Sequence, residues 1–313
     1  MRVTEQSNFE SIKESIRKSK SRLEDLQTQS ATLKKLNTPS DDPVGAAKVL
    51  EVRTDQVNNK QFHSNIKTAE TFLLNTDQAV SDLVDIIIRA KELALSQSSG
   101  ASSSESTRMA VAEEVTQLFN QGLSVANRKI GNQYILAGFQ TDKAPVNNEG
   151  QYLGDHGKKM TEVSKGIFIS MNIPGAEIFN TKPSPLQNIE AGFFPKNNAS
   201  GQNVNFFEQL QRLKGSLVIG DTDGIRNSID AFDQLRDRMV SIRSKVGSRL
   251  SGMEGTEKSL ERSEITTADL MSTIEDADMV AVMSDLAKEE AVYKNALSSS
   301  KRLIQPSLMD FLR

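Results

Sequence analysis

The sequence is informative first through what it lacks. There is no cysteine and no tryptophan among the 313 residues, and aromatic residues make up only 5%. Without cysteine, neither a disulfide framework nor a thiolate metal site can form. Two explanations of this absence stay open: the chain simply has no cysteine, or it must remain uncrosslinked until it reaches an oxidising exterior.

Long apolar runs are also missing. The densest apolar clusters, Phe72–Leu74 and Ile86–Ile88, are far shorter than a membrane-spanning helix. The start of the chain has no apolar segment typical of a cleavable secretion signal. Hydrophobic residues are only 37%, which favours elongated helices joined by narrow seams over one deep core. The composition therefore predicts a soluble protein without membrane insertion.

The charge is nearly balanced overall but differs between the two ends. A net charge of −3 gives no electrostatic support for nucleic-acid binding. Residues 1–37 carry eight basic and five acidic groups, whereas residues 264–313 carry five basic and nine acidic groups. Opposite signs favour docking of the two ends on each other, although an exposed ion pair contributes only about 0.2–1 kcal/mol.

What the chain does contain is apolar residues in a seven-residue repeat at both ends. This spacing is typical of helices that pair along a seam. The amino-terminal helix carries Phe9, Ile12, Ile16, Leu23, Leu26 and Leu33, with Ser19 and Ser30 in the gaps. The carboxyl-terminal helix carries Met279, Val282, Leu286, Tyr293, Ala296 and Leu303, with Glu289 and Ser300 as polar breaks. We expect these helices to pair with each other, with neighbouring copies, or both, and to be disordered in the monomer because of the polar breaks.

Further helices and one irregular region lie between the ends. Helices are predicted at about 5–36, 43–97, 105–135, 205–218, from about 224, and from about 268 onwards, with a polar loop at 96–104. The central repeats are Ile66, Leu73, Val80, Ile87 and Ala94, then Ile225, Phe232, Met239, Val246, Met253 and Leu260. Residues 138–204 hold five of the eight prolines, and the alternation of apolar residues within Val163–Ile173 predicts a strand.

The order of these segments predicts a nested architecture. The fold class is mainly α with a β insert, an elongated rod in which helices from both chain ends form an antiparallel bundle. The expected domains are the terminal heptad helices (1–37 and 264–313), a helical rod core (38–137 and 205–263) and a β-rich outer insert (138–204).

Residues that could carry chemistry have simpler structural explanations. Asp41 and Asp42 precede Pro43 and are expected to cap the following helix. Asp221–Gly224 lacks the spacing of a calcium loop and is expected to be a helix start. His63 and His156 stand far apart in sequence, and no P-loop, nucleophile elbow or GxGxxG motif follows a predicted strand. Arg249 is either a solvated helix charge or one side of an intersubunit salt bridge. No catalytic, metal or cofactor site is therefore predicted, and an enzyme is not expected.

Several short motifs nevertheless identify a family. The chain resembles the flagellar hook-associated protein 3 family, the hook–filament junction proteins of the flagellin superfamily. The carrying segments are Met1–Thr4, Pro39-Ser40-Asp41-Asp42-Pro43, Asn132–Gly138, Tyr152–Asp155, Ile274–Asp278 and Ser307–Leu312. The likeness covers about 1–138 and 205–313. One departure is Leu33-Lys34-Lys35-Leu36-Asn37, where the resemblance implies a Gly-Lys-Arg-like turn.

The resemblance implies a structural role outside the cell. Such a protein is exported unfolded by the flagellar type III apparatus, without a cleaved signal. It then forms a ring of its own copies between the first junction protein and flagellin. Leu308, Phe311 and Leu312 are possible contacts for an export chaperone.

Two other functions compete with this interpretation. A minor flagellin would polymerise without limit, but Pro39–Pro43 and Ser307–Leu312 differ from the usual flagellin segments. A coiled-coil scaffold protein would explain the seven-residue repeats, but not the ordered motifs or the nested insert.

Overall fold

The fold class predicted from the sequence is confirmed: the protein is mainly α-helical with small two-stranded sheets. The computed structural model describes residues 2–98, 104–179 and 204–311. The helices are α1 (Arg2–Thr32), α2 (Pro43–Ser98), α3 (Glu105–Ala126), α4 (Gly175–Phe179), α5 (Phe206–Ile219), α6 (Thr222–Glu275) and α7 (Met279–Phe311). The strands are β1 (Lys129–Ile130), β2 (Gln133–Tyr134), β3 (Met160–Ser164) and β4 (Ile167–Ser170). No helix in the described ranges is long and apolar enough to cross a membrane.

The chain divides into two compact units. We call Met1–Asn58 with Glu261–Arg313 the terminal unit, and Asn59–Leu260 the central unit. The expected boundaries at 37/38 and 263/264 concern what is ordered before assembly, and they stay a prediction.

The central unit contains the hydrophobic core. Every apolar residue named above in the central repeats of α2 and α6 is at most 7% exposed. A seven-residue repeat keeps one face of a helix directed at its neighbours, so these helices bury a continuous stripe. The sequence-based prediction of this stripe is confirmed.

Aromatic rings gather where α3, α4 and α5 meet. Phe179, Phe206 and Phe207 are at most 1% exposed. The rings of Phe206 and Phe207 lie edge to face at 5.0 Å, and Phe207 contacts Phe119 in the same way at 5.4 Å. Such edge-to-face pairs stabilise a core beyond the burial of their area.

The β structure consists of two antiparallel hairpins. In the first, Lys129 pairs with Tyr134 around a turn in which Gly131 has a positive φ of 59°. In the second, β3 pairs with β4, with a register shift between Glu162 and Ser164.

Side chains from two long helices donate hydrogen bonds to backbone carbonyls in and just after the β3–β4 hairpin. Asn65 Nδ2 of α2 donates a hydrogen bond of 2.8 Å to the carbonyl oxygen of Glu162 in β3. Arg249 Nη1 of α6 donates to the carbonyl oxygen of Asn172, two residues after β4, at 3.1 Å, with a longer contact of 3.5 Å to that of Ser170. Arg249 Nη1 therefore bonds within its own chain and is not simply a solvated charge. The intersubunit salt bridge expected as the alternative stays a prediction.

Two helix ends differ from the sequence-based expectation. α3 ends at Ala126 instead of about 135, and Asn127 is its C-cap: its backbone N–H donates to the carbonyl oxygen of Leu123. The Asn127 side chain ties the helix end to Val146, because its Nδ2 donates to the Val146 carbonyl oxygen and its Oδ1 accepts from the Val146 N–H. α6 continues to Glu275, beyond the expected break near 264–268. No glycine or proline interrupts this stretch, and Thr266 and Thr267 bond their hydroxyls to carbonyls of the preceding turn.

Candidate functional site

The two terminal helices pack against each other within the terminal unit. Ser19 of α1 contacts Glu289 of α7, while Leu33, farther along the chain, accepts a hydrogen bond from Ala277, which precedes α7. Since the partner number falls as the residue number rises, the two helices run antiparallel. This seam is the place where the sequence predicts a subunit interface.

The predicted interface residues line this seam, but few of them are fully covered. Val282 is buried, at 7% exposed. The others whose side chains are described are half-buried: Ile12, Ile16, Leu23, Leu26, Met279, Leu286 and Tyr293. Phe9 and Leu303 belong to the same helices, and their side chains lie outside the described part. A single partner helix therefore leaves much of this apolar stripe open to further contacts.

One layer of the seam is polar. The Ser19 hydroxyl donates a hydrogen bond of 2.8 Å to Glu289 Oε1, and Ser19 is only 5% exposed. Both residues are polar breaks in the sequence pattern, and the structure brings them together. A buried polar pair satisfies only one alignment of the two helices, so it fixes register at a cost in stability.

Apolar side chains outside the seam are a feature that sequence reasoning missed. On α7, Val280 is 82% and Met283 is 49% exposed, and on α2 Leu50 and Val57 are 63% and 66% exposed. All of them belong to the terminal unit. Only the strongest repeat of each helix entered the prediction, although Leu50 and Val57 also stand seven residues apart. The terminal unit thus presents apolar surface on several helices, as proteins with partners do.

The Pro39–Pro43 segment forms the turn between α1 and α2. Asp42 Oδ1 accepts hydrogen bonds of 3.0 Å from the backbone N–H groups of Val44 and Gly45, and Pro43 begins α2. Asp41 accepts from Asn37 and Thr38, and the hydrogen bonds from Thr38 and Asn37 lower the pKa of its carboxyl group. Ser40 is an exposed turn residue, and so is Pro39.

The break between α6 and α7 lies against this turn. Lys35 N–H donates to the carbonyl oxygen of Glu275 at 2.8 Å, and Lys34 and Asp276 form an isolated antiparallel bridge. Glu275 Oε1 accepts both Lys34 Nζ at 2.5 Å and Arg53 Nη2 at 2.6 Å, although its side chain is only 5% exposed. A buried carboxylate is stable only when it is paired in this way. The segment Ile274–Asp278 carries part of the family resemblance, but its sequence pattern does not predict the ion pairs of Glu275.

The remaining candidates have structural contacts. His63 Nε2 lies 3.0 Å from Glu257 Oε1, and Asp221 Oδ1 accepts a 3.2 Å hydrogen bond from the Asp223 N–H at the start of α6. Among the described residues, no three histidine or carboxylate side chains gather as metal ligands would. Leu308 and Phe311 lie in α7 with side chains outside the described part, and Leu312 lies outside the described residues altogether.

Residues 3–141 match the family model described as the bacterial flagellin N-terminal helical region. The chain is homologous to flagellar hook-associated protein 3. It is 23% identical to that protein from Salmonella typhimurium over 310 residues, covering 93% of each chain.

Two further comparisons concern a flagellin sequence and a solved structure. The chain is 24% identical to a flagellin of Listeria innocua, covering 91% of this chain and 89% of that one. The structure of flagellar hook-associated protein 3 from Legionella pneumophila superimposes with a TM-score of 0.60 and 19% identity, covering 72% of this chain and 98% of that one. At that identity, the structural likeness concerns the fold.

Proposed function

We propose that this protein is a structural adaptor of the bacterial flagellum, which joins the hook, through the first junction protein, to the flagellin filament. The observation that carries the proposal is homology to flagellar hook-associated protein 3 over 93% of both chains, combined with a seam that leaves its apolar residues half-covered. Such a seam would bury more surface if neighbouring subunits added helices to it.

The proposed life cycle follows from this role. The chain leaves the cell unfolded through the flagellar type III apparatus and is cytoplasmic only before export. Its terminal helices become ordered when copies assemble into a ring that contacts flagellin. The segment with Leu308, Phe311 and Leu312 contacts an export chaperone beforehand. No reaction is part of this role.

The test compares a strain from which the gene is deleted with the same strain after the gene is restored. Without the protein, we expect bare hooks and flagellin lost as monomers into the medium, and the intact chain should restore filaments. Intact filaments in the deletion strain would contradict the proposal. So would the absence of filaments with no flagellin released.

Two truncations test the role of the ends. Chains without residues 1–30 or 290–313 should remain folded in the central unit, because its core lies at residues 66–260. They should fail to restore filaments, since the seam is lost. Filaments restored by either truncated chain would exclude the seam as the assembly element.

A minor flagellin is the second candidate, because the similarity to a Listeria flagellin is of the same size. Adding purified protein to flagellin seeds separates the two functions. A flagellin extends the seeds without limit, whereas a junction protein forms a thin cap and stops.

A further inference from the structure

Each of the two helix breaks in the terminal unit is shaped by contacts of its own. In the turn between α1 and α2, Leu36 folds back onto the start of α2, where a Cβ added at Gly45 would lie only 3.0 Å from its Cδ1. Between α6 and α7, Asp278 Oδ1 accepts hydrogen bonds from the backbone N–H groups of Val280 and Ala281 and so caps α7. These contacts join residues that are close in the chain, so they do not depend on the seam between α1 and α7.

The two breaks are also tied to each other. We define the clamp as Leu33–Lys35, Arg53 and Glu275–Ala277. Its backbone links are the hydrogen bonds from the Lys35 N–H to the carbonyl oxygen of Glu275, at 2.8 Å, and from the Ala277 N–H to that of Leu33, at 3.0 Å. The buried Glu275 carboxylate adds the two ion pairs described above. Lys34 and Glu275 are 241 residues apart in sequence, so the closed clamp brings the end of α1 and the start of α7 to one place.

The buried apolar side chains in the described part of the terminal unit all lie near the clamp. Val49 and Val52 precede Arg53 on α2, and Val282 follows the clamp on the first turns of α7. Farther along the seam, the apolar residues are half-buried: Ile12, Ile16, Leu23, Leu26, Leu286 and Tyr293. Burial of apolar surface is the main stabilising contribution to a fold, so the region of the clamp is better stabilised than the seam beyond it.

The clamp and the polar layer of the seam agree on one alignment of the two helices. Ser19 precedes Leu33 by about 21 Å of helix, and Glu289 follows Ala277 by about 18 Å, at about 1.5 Å per residue. Because these lengths are similar, a closed clamp places the Ser19 hydroxyl at the level of Glu289, to which it donates its hydrogen bond. The clamp alone therefore selects the register of α1 on α7.

We propose that the clamp is closed in the single chain, and that α1 and α7 pair progressively outward from it when copies assemble. The inference rests on the proposed function, because it specifies the state from which the terminal helices become ordered. It extends the ordered part of the single chain beyond the boundaries expected at 37/38 and 263/264, to Leu33 and Ala277. The first contact is the unfavourable step in forming a helical structure, and a closed clamp supplies it in advance.

Hydrogen exchange in the purified, unassembled chain tests this state. The N–H groups of Lys35 and Ala277 report on the clamp, and those of Ile16 and Tyr293 report on the seam. Relative to the rate of an unstructured chain, we expect the clamp amides to exchange at least about tenfold more slowly than the seam amides. Exchange at the clamp that is as fast as at the seam, or faster, would overturn the proposal.

Glu275→Gln weakens the clamp, because a neutral amide replaces the carboxylate that two cations share. We expect exchange at Lys35 and Ala277 to become about tenfold faster, and the restoration of filaments in the deletion strain to fall. Glu264→Gln, an exposed change on the same helix, is the matched control and should alter neither measurement. Slow exchange at Leu83, in the core of the central unit, verifies that each variant is folded.

The outcomes separate the clamp from the junction role. Unchanged exchange at the clamp in Glu275→Gln would mean that the ion pairs do not hold it closed. Full restoration of filaments by this variant, despite fast exchange at the clamp, would show that assembly does not start from a closed clamp and would leave the junction role intact. Failure of the unmodified chain to restore filaments would instead count against the proposed function.

Discussion

At the scale of single residues, the end of α1 holds the clearest strain. Among the described residues, Leu33 is the only non-glycine residue with positive φ, at 61°. A left-handed conformation costs a residue with a Cβ about 1–2 kcal/mol, which is why glycine usually follows a helix end. The family resemblance implies a glycine-containing turn within residues 33–37, and the strained Leu33 begins this segment.

Replacing Leu33 by glycine should strengthen the contact between the two helix breaks. We expect a gain of up to about 1 kcal/mol, because the dihedral penalty is removed while glycine adds some unfolded-state entropy. Hydrogen exchange at Lys35 and Ala277, whose N–H groups bridge the breaks, should slow by up to about fivefold. Leu33→Ala is the control, since it removes the side chain and keeps the penalty. Equal exchange in both variants would mean that the dihedral angle does not matter.

Glu177 should make stability depend on pH. Burial raises the pKa of this carboxyl group, but the hydrogen bond from Lys158 and the charges of Lys158, Lys245 and Arg249 outweigh it and lower the pKa overall. A lowered folded-state pKa contributes stability above the unfolded value of about 4.3, and this contribution is lost as the pH falls through the folded-state value.

Urea unfolding at pH 7 and at pH 3 measures this effect. Glu177→Gln should lower stability at pH 7 and reduce the difference between the two pH values. Glu113→Gln, an exposed change on α3, is the control and should leave the difference unchanged. A Glu177→Gln protein with the natural pH dependence would show that this ion pair contributes nothing measurable.

At the scale of the elements, the sequence predicted the buried faces better than the ends. The seven-residue repeats of α2 and α6 are buried as predicted, because a helix must turn its apolar stripe toward a partner. The end of α3 was misplaced, since Asn127 acts through Val146, far along the chain. The role of Glu275 could not be predicted either, because Lys34 and Arg53, which pair with it, are far away in the sequence.

The β3–β4 hairpin depends on a side chain of α6 in a way that no local pattern reveals. Arg249→Met keeps most of the aliphatic volume and removes the donor to Asn172. We expect a loss of about 1–2 kcal/mol, because a hydrogen bond from a charged donor is lost while the Ser170 hydroxyl still donates to the same carbonyl oxygen. Urea unfolding and exchange at Met171 are the measurements. Arg262→Met, an exposed change on the same helix, is the control. Equal stability of the two variants would assign Arg249 no part in holding the hairpin.

At the scale of the whole molecule, the two units differ in what they bury. The contiguous core runs from Ile66 to Leu260, all within the central unit. In the described part of the terminal unit, the buried apolar side chains are Val49, Val52 and Val282. The opposite charges of the chain ends predicted their pairing, and α1 and α7 do pack together. That the seam needs neighbours to become stable stays a prediction.

Replacing the polar layer tests that prediction. Ser19→Leu combined with Glu289→Leu should stabilise the pair in the monomer, because a buried polar layer becomes apolar. We expect higher helical content and slower proteolysis of the ends in purified monomer, together with weaker restoration of filaments. Ser21→Leu with Ser298→Leu adds the same side chains at exposed positions and is the control. Unchanged proteolysis in the first variant would mean that the polar layer does not limit folding of the ends.

The hydrogen bond from Asn65 to β3 has a consequence for strand pairing between copies. In the proposed ring, identical copies held side by side would raise the local concentration of any unpaired strand, and such strands template amyloid-like growth. Asn65 occupies the Glu162 carbonyl oxygen of β3, which a foreign strand could otherwise use. A foreign strand that pairs along β3 at this point would therefore first have to displace the Asn65 side chain.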